Sequence, residues 1–128
     1  MSTRHVQPTT VHPTVGYTHA VVTEGALVHV SGQVAFDRDR KLVGPGDIAA
    51  QAEQTYANIK AVLEAAGSGL ERVVKMVVYI TDPRFVEAVR AARGKYLSEP
   101  YPASTLVVVS GLAAPEFLVE IEATATIG

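Results

Sequence analysis

The sequence predicts an α+β fold, a β-β-α-β-α-β-β sandwich with two helices on one sheet face. Two observations lead to it: β-branched segments recur between turn residues, and two segments carry apolar residues at helical spacing. The strands and helices do not alternate strictly, which favours α+β over a parallel α/β sheet. The 128 residues are 48% hydrophobic and 19% charged. We therefore expect one domain over residues 1–128, with a core of its own.

The first third of the chain predicts two strands. Residues 1–16 are polar and contain prolines, so we expect an extended arm there. THAVVTEG (18–25) and ALVHVSGQVAF (26–36) are rich in β-branched residues, and the Glu-Gly pair between them predicts a hairpin. Gly32 interrupts the alternation of the second strand, which predicts a bulge or a close backbone approach.

Two helices follow from the spacing of apolar residues. The first covers 47–67, with Asp47 as N-cap and Gly67 as C′ residue. The second follows Asp82 as N-cap and Pro83 at the first helical position. The face of the first helix opposite its apolar stripe carries Gln51, Gln54, Asn58 and Lys60.

The remaining strands suggest contacts beyond one chain. RVVKMVVYI (72–80), STLVVVSGL (104–112) and FLVEIEATATI (117–127) are the last three predicted strands. Strands 72–80 and 105–109 are apolar on both faces, while two helices cover only one face of a sheet. We expect the other face to meet further copies of the chain. A closed or strongly curled sheet is the alternative.

Composition excludes several function classes. The chain has no cysteine, hence no disulfide, thiolate zinc site or cysteine nucleophile. The net charge is −2, without the basic block expected of a nucleic-acid or membrane surface. We find neither an apolar signal-peptide core nor a membrane span of about 18 residues. These features predict a soluble, cytoplasmic protein.

Cofactor motifs are absent from the sequence. It contains no Gly-rich phosphate loop and no HExxH pair. His19 and His29 could face each other across the predicted hairpin, but no third metal ligand is evident. We predict neither a metal nor another cofactor.

Three groups of residues are candidates for a site. PYPAST (100–105) forms a rigid, uncharged strand entrance, where Ser104 has no His-Asp partners for a hydrolase triad. Glu120 and Glu122 share one strand face, as solvent-facing residues or as an acid/base in a subunit cleft. Arg90 and Arg93 lie one helical turn apart, either solvated or as partners of a ligand carboxylate.

The chain resembles the RidA/YjgF family, once labelled L-PSP endoribonucleases. The residues that carry the resemblance are Gly16-Tyr17, VSGQVAFD (30–37), the long segment 51–82, YPAST (101–105) and VEIEATA (119–125). The resemblance implies a chorismate-mutase-like fold and a homotrimer with ligand clefts between subunits. It also implies hydrolysis of reactive imines and enamines without a cofactor, although some members only bind ligands.

The resemblance also assigns roles to particular residues. It makes Tyr17 a pocket tyrosine, makes Ser31 and Gly32 a polar turn lining the cleft, and makes Glu120 the residue that positions water. Arg90 falls, within one residue, where many relatives have a pocket asparagine. Ser104, followed by Thr105, stands where the family deaminases have an arginine that pairs with the substrate carboxylate.

The serine at position 104 separates three functional hypotheses. A hydroxyl cannot replace a guanidinium–carboxylate pair, whose loss costs about 2–4 kcal/mol of substrate binding. The first hypothesis is an arginine-less imine, enamine or related C–N hydrolase, without a substrate α-carboxylate unless Arg90 supplies the charge. The second is a non-catalytic binder of a small metabolite. The third, RNA cleavage, is disfavoured by the acidic balance.

Overall fold

Six strands and two α-helices form the described part of the chain, residues 3–127 of the computed structural model. The helices are α1 (Ile48–Ala65) and α2 (Val86–Tyr96), and short 3₁₀ turns precede β4 and α2. The strands are β1 (Thr3–Val6), β2 (Ala20–Thr23), β3 (Leu27–Gln33), β4 (Val73–Ile80), β5 (Ala103–Val108) and β6 (Val119–Thr126).

The predicted α+β architecture is confirmed. β3, β6, β4 and β5 form one sheet in that order, and α2 connects the parallel neighbours β4 and β5. The other pairs in this sheet are antiparallel. Both helices contribute buried residues to a single core cluster on one side of the sheet, and β6 at the centre supplies Val119 and Ile121, each 0% exposed.

The N-terminal strands pair differently from the prediction. β2 pairs with β1 from Thr3↔Thr23 to Val6↔Ala20, while β3 pairs with β6 in the main sheet. The expected hairpin of β2 with β3 is therefore wrong, and part of the expected extended arm is a strand. Local composition indicates that a segment is extended, but the partner of each strand depends on contacts distant in sequence.

The predicted boundaries of α1 are confirmed, whereas α2 begins at Val86 and not at the predicted Pro83, because a 3₁₀ turn comes between Asp82 and the helix. The Asp47 carboxylate accepts a hydrogen bond from the Ala50 amide at 3.1 Å, and Gly67 ends α1 with a φ of 82°. The Asp82 carboxylate caps the 3₁₀ turn before α2 by accepting from the Arg84 amide at 2.9 Å. No helix within residues 3–127 is both long and apolar enough to cross a bilayer.

Gln51 contradicts the simple division of α1 into an apolar and a polar face. Its side chain is 0% exposed, although the sequence places it among the polar residues. Its amide nitrogen donates to the carbonyls of Gly44 and Glu116, each at 3.1 Å. Its amide oxygen accepts from the Leu118 N–H at 3.0 Å. Gln51 therefore joins α1 to the loops before α1 and before β6.

The second face of the sheet is less apolar than the strand sequences suggested. Alternation along β4 and β6 places Lys75, Tyr79, Glu120 and Glu122 on this face, and all four are half-buried or exposed. This face also carries the exposed Leu27 of β3. Other exposed apolar side chains occur on the edge strand β5, on the side of the sheet that faces the helices. These are Leu106 and Val108, which are 37% and 48% exposed.

Candidate functional site

A cavity of about 300 Å³ lies between α2, the edge strand β5 and the segment 15–17. We call it the α2–β5 cavity. Tyr56 of α1 and the apolar side chains of α2 and β4 form its floor. Its polar lining consists of Tyr17, Tyr56, Arg90, Arg93 and Ser104, together with Thr105. Four of the residues predicted for the site, Tyr17, Arg90, Ser104 and Thr105, therefore line one cavity.

The segment that carries Tyr17 is attached to the start of β5. The Thr18 amide donates to the Pro102 carbonyl at 2.9 Å, and the buried Thr18 hydroxyl donates to the Tyr101 carbonyl. The Tyr17 hydroxyl is hydrogen-bonded to His12 Nε2 at 3.1 Å. These bonds position the phenol ring of Tyr17 at the cavity, although His12 gave no signal of this role in the sequence.

Arg93 lies against Gly16 at the side of the cavity. A Cβ atom at position 16 would overlap the guanidinium group, and the φ of Gly16 is 79°. Only glycine satisfies both conditions without strain, because it has no Cβ and adopts positive φ readily. The close approach of segment 15–17 therefore fixes the position of the Arg93 guanidinium.

Tyr56 is the buried polar residue of the cavity floor. Its side chain is 1% exposed and its ring stacks on Tyr96, with centroids 5.5 Å apart. Burial raises the pKa of the Tyr56 hydroxyl to about 12, and the nearby positive charge of Arg93 opposes that rise. The phenol is therefore a neutral donor at neutral pH. Sequence spacing assigned Tyr56 only to the core.

Arg90 occupies a more exposed place on the same wall. Its guanidinium lies 3.4 Å from the Glu87 carboxylate, one turn earlier on α2, and its side chain is 57% exposed. An exposed ion pair of this length contributes little to stability, but it partly neutralises the charge. Arg90 lines the cavity, while its charge is shared with a surface carboxylate.

The other predicted site residues, Ser31, Gly32 and Glu120, lie together at an irregularity between β3 and β6. The register shifts between Val30 and Gln33, as the predicted bulge requires. A Cβ atom at position 32 would overlap the Glu120 carboxylate, so the predicted close approach at Gly32 is also confirmed. Glu120 is half-buried, and Ser31, which precedes Gly32 in the sequence, is exposed.

The two groups lie on opposite faces of the sheet. Ser104 pairs with Met76, a core residue, and therefore projects towards the helices. Glu120 alternates with the buried Ile121 and projects to the other face. Thr105 borders the α2–β5 cavity, but its hydroxyl lies on the other face, where Lys75 Nζ donates to it at 3.4 Å. Within one chain, the sheet separates Glu120 from Ser104 and from both arginines.

The histidines do not form the pair considered from the sequence. His19 packs edge-to-face on His12, with ring centroids 4.7 Å apart, and its Nε2 lies 2.7 Å from the His12 carbonyl. His29 lies in β3 of the main sheet, whereas His19 lies before β2. Across residues 3–127, no group of three or more His, Cys, Asp or Glu residues is arranged to hold a metal ion.

The fold and the cavity define the class of protein: a small α+β protein with a cavity beside its edge strand and a glutamate on the opposite sheet face. Residues 8–127 match the family model described as Endoribonuclease L-PSP. The chain belongs to this family, which is the RidA/YjgF family whose motifs the sequence resembles.

Known relatives agree with this membership. The chain is 40% identical over 96 residues to Protein HMF1 of Saccharomyces cerevisiae, covering 75% of this chain and 73% of that protein. The crystal structure of the Rid-family protein YyfB from Yersinia pestis superposes with a TM-score of 0.90 at 38% identity, covering 99% and 100% of the two chains. RidA from an Antarctic Psychrobacter gives a TM-score of 0.75 at 39% identity, covering 97% and 99%.

Proposed function

We propose that the protein is a homotrimeric hydrolase of small imines or enamines, acting without a cofactor in a cleft between subunits. The observation that supports this most directly is the position of Glu120 against Gly32, where the family places its water-positioning glutamate. Water adds to the C=N carbon, the C–N bond breaks, and the products are a carbonyl compound and ammonia. A cytoplasmic location is part of the proposal, since the chain has no cysteine.

The division of the site between two sheet faces supports an arrangement of several copies. Glu120 and Ser31 lie on one face, and Ser104 lies in the α2–β5 cavity on the other. One substrate touches both groups only if a second copy brings its Glu120 to the cavity of the first. The exposed Leu106 and Val108 on the edge strand offer apolar surface for such a contact.

The oligomeric state is tested by light scattering coupled to size-exclusion chromatography. We expect the mass of three chains at micromolar concentration. Because the proposed cleft needs two copies, dilution below the dissociation point is expected to abolish activity together with the trimer. A stable monomer that retains full activity would contradict the shared cleft.

In the proposed mechanism, Glu120 accepts a proton from the attacking water and returns it to the leaving nitrogen. Such a group contributes about 10²–10⁴-fold to the rate. Backbone N–H groups near Gly32 and Ser104 hydrogen-bond and polarise the substrate. Tyr17, fixed by His12, covers one side of the reacting group.

The function is tested by ammonia release from imines generated in situ by an amino-acid oxidase. We expect the protein at micromolar concentration to accelerate ammonia release above the spontaneous rate in buffer. Heat-unfolded protein is the control, because it keeps the composition and loses the cleft. No acceleration with any imine would reject the hydrolase in favour of the second candidate.

The second candidate is a binding protein without turnover. The serine at position 104 favours it, because the arginine on which the family deaminases depend is not at that position. It predicts that small metabolites raise the melting temperature while no product forms. RNA cleavage is not proposed, since the chain has a net charge of −2 and no basic block.

A further inference from the structure

We propose that Arg93 binds the carboxylate of the substrate, so that the protein acts on small α-imino or enamino acids. The inference rests on the proposed function for the reaction, and on the α2–β5 cavity for the choice of ligand. It places the carboxylate site on helix α2 and not on the strand position 104, where the family deaminases have theirs.

The charge of Arg93 has no anionic partner among the described residues. Within residues 3–127, four basic side chains form ion pairs with carboxylates, and Arg93 is not among them. Its side chain is half-buried on the cavity wall. A half-buried guanidinium without an anionic partner is incompletely compensated for its lost hydration. A ligand carboxylate would supply that partner.

Two hydroxyl groups, those of Tyr56 and Ser104, point into the same cavity. Tyr56 is 1% exposed, and its hydroxyl has no hydrogen-bond partner among residues 3–127. In this part of the chain, every fully enclosed polar side-chain atom has a hydrogen-bond partner. Because the Tyr56 hydroxyl has none, it is not fully enclosed, and it opens into the cavity. Ser104 likewise presents a free hydroxyl there.

These three groups match the chemistry of a carboxylate. The ion has two oxygens, each able to accept more than one hydrogen bond, and a guanidinium presents two parallel N–H groups to them. Two neutral hydroxyls can satisfy the remaining lone pairs without repelling the charge. Phosphate is less suitable, because its greater charge would leave one cation and two hydroxyls insufficient.

The Arg93 guanidinium is held in place before any ligand arrives. Gly16 packs directly on it, and Thr18 anchors the same segment to the Pro102 carbonyl. A positioned guanidinium loses less side-chain entropy on binding than a free surface arginine. The side chain of Ser104 is small, so position 104 on β5 leaves the part of the cavity next to Arg93 open.

Arg90 does not fulfil these conditions. Its side chain is 57% exposed and its guanidinium faces Glu87 at 3.4 Å. A ligand carboxylate at Arg90 would compete with a carboxylate already present and with bulk water. The sequence had favoured Arg90 by its position relative to the family, and the geometry points to the arginine one turn later.

The test measures binding by isothermal titration calorimetry of two probes, 2-oxobutanoate and its neutral amide. We expect the wild type to bind the oxo acid and to bind the amide at least tenfold more weakly, about the cost of one charge-assisted pair. Arg93→Gln is expected to weaken oxo-acid binding about tenfold or more, while leaving the amide unchanged.

Three further variants complete the design. Lys95→Gln, on the same helix and paired with Glu53 on the surface, is expected to bind like the wild type. Arg93→Lys keeps the charge but loses the fork, so we expect intermediate affinity. Ser104→Arg added to Arg93→Gln is expected to restore part of the binding, because it returns a guanidinium to the same cavity.

Several results would overturn the inference. These are equal binding of oxo acid and amide by the wild type, no binding of the oxo acid, or a loss in Arg90→Gln as large as in Arg93→Gln. Circular dichroism shows whether each variant is folded. If Arg93→Gln does not fold, the oxo-acid affinity of Arg93→Lys tests the inference in its place. Binding is measured without turnover, so the two proposals can fail separately. If the protein binds the oxo acid but releases no ammonia, the proposed hydrolase is wrong and the carboxylate site is still supported.

Discussion

Replacing Gln51 with leucine is expected to lower the free energy of unfolding by about 3 kcal/mol or more. The leucine would fill a similar volume but leave the Leu118 N–H and the Glu116 carbonyl without their partner, while the Gly44 carbonyl keeps the Asp47 N–H. Each buried polar group left unpaired costs about 1–3 kcal/mol. Since small domains have only about 5–15 kcal/mol of stability, this is a large fraction.

The measurement is urea denaturation followed by circular dichroism at fixed protein concentration, because association adds to the apparent stability. The midpoint should fall while the slope stays constant. Gln54→Leu is the matched control, since Gln54 is on the same helix and makes one partly exposed hydrogen bond, to Asn58 at 2.9 Å. Equal losses in the two variants would refute the assigned role of Gln51.

Replacing Glu120 with glutamine is expected to lower kcat for imine hydrolysis about 100-fold, within the usual range for a general acid/base. The amide has nearly the same shape but cannot accept the proton of the attacking water. Binding of the substrate should change little, so the loss should occur in kcat and not in KM. Ammonia release under saturating imine measures this directly.

Glu122→Gln is the control for Glu120. Glu122 lies two residues later on the same face, where it accepts a hydrogen bond from the Tyr79 hydroxyl at 2.5 Å. We expect this variant to keep its activity, because Glu122 is held by Tyr79 and not by the bulge. Gly32→Ala should also reduce kcat, since the added Cβ displaces the Glu120 carboxylate. A Glu120→Gln variant with unchanged kcat would show that Glu120 is not the acid/base.

Much of the fold was predictable because its signals are local. Asp47 and Gly67 bound α1 through a cap and a left-handed residue, and both lie within a few positions of the backbone groups they affect. Strand alternation placed Glu120 and Glu122 on one face for the same reason. The pairing of β2 with β1 was missed, because a strand's partner is chosen by contacts far along the chain.

The sequence indicated most residues of the candidate site, but it could not show which of them lie together in the folded chain. Family motifs indicated Tyr17, Ser104 and Glu120, and the structure places the first two in one cavity and the third across the sheet. Tyr56 was counted as a core residue, because helical spacing cannot show that a buried ring carries its hydroxyl into a cavity. The sequence favoured Arg90 over Arg93 by its position relative to the family. In the structure, the packing of Gly16 on Arg93 and the ion pair of Arg90 with Glu87 distinguish the two arginines.

By itself, the sequence determined the α+β class, the limits of α1, the bulge at Gly32 and the uncharged residue at position 104. These depend on residue type, on periodicity and on backbone conformations that one or two residues control. Only the tertiary structure decided that Gln51 is buried and that Arg93 has no anionic partner within residues 3–127. Burial and charge pairing depend on which distant segments meet, and no local pattern specifies that.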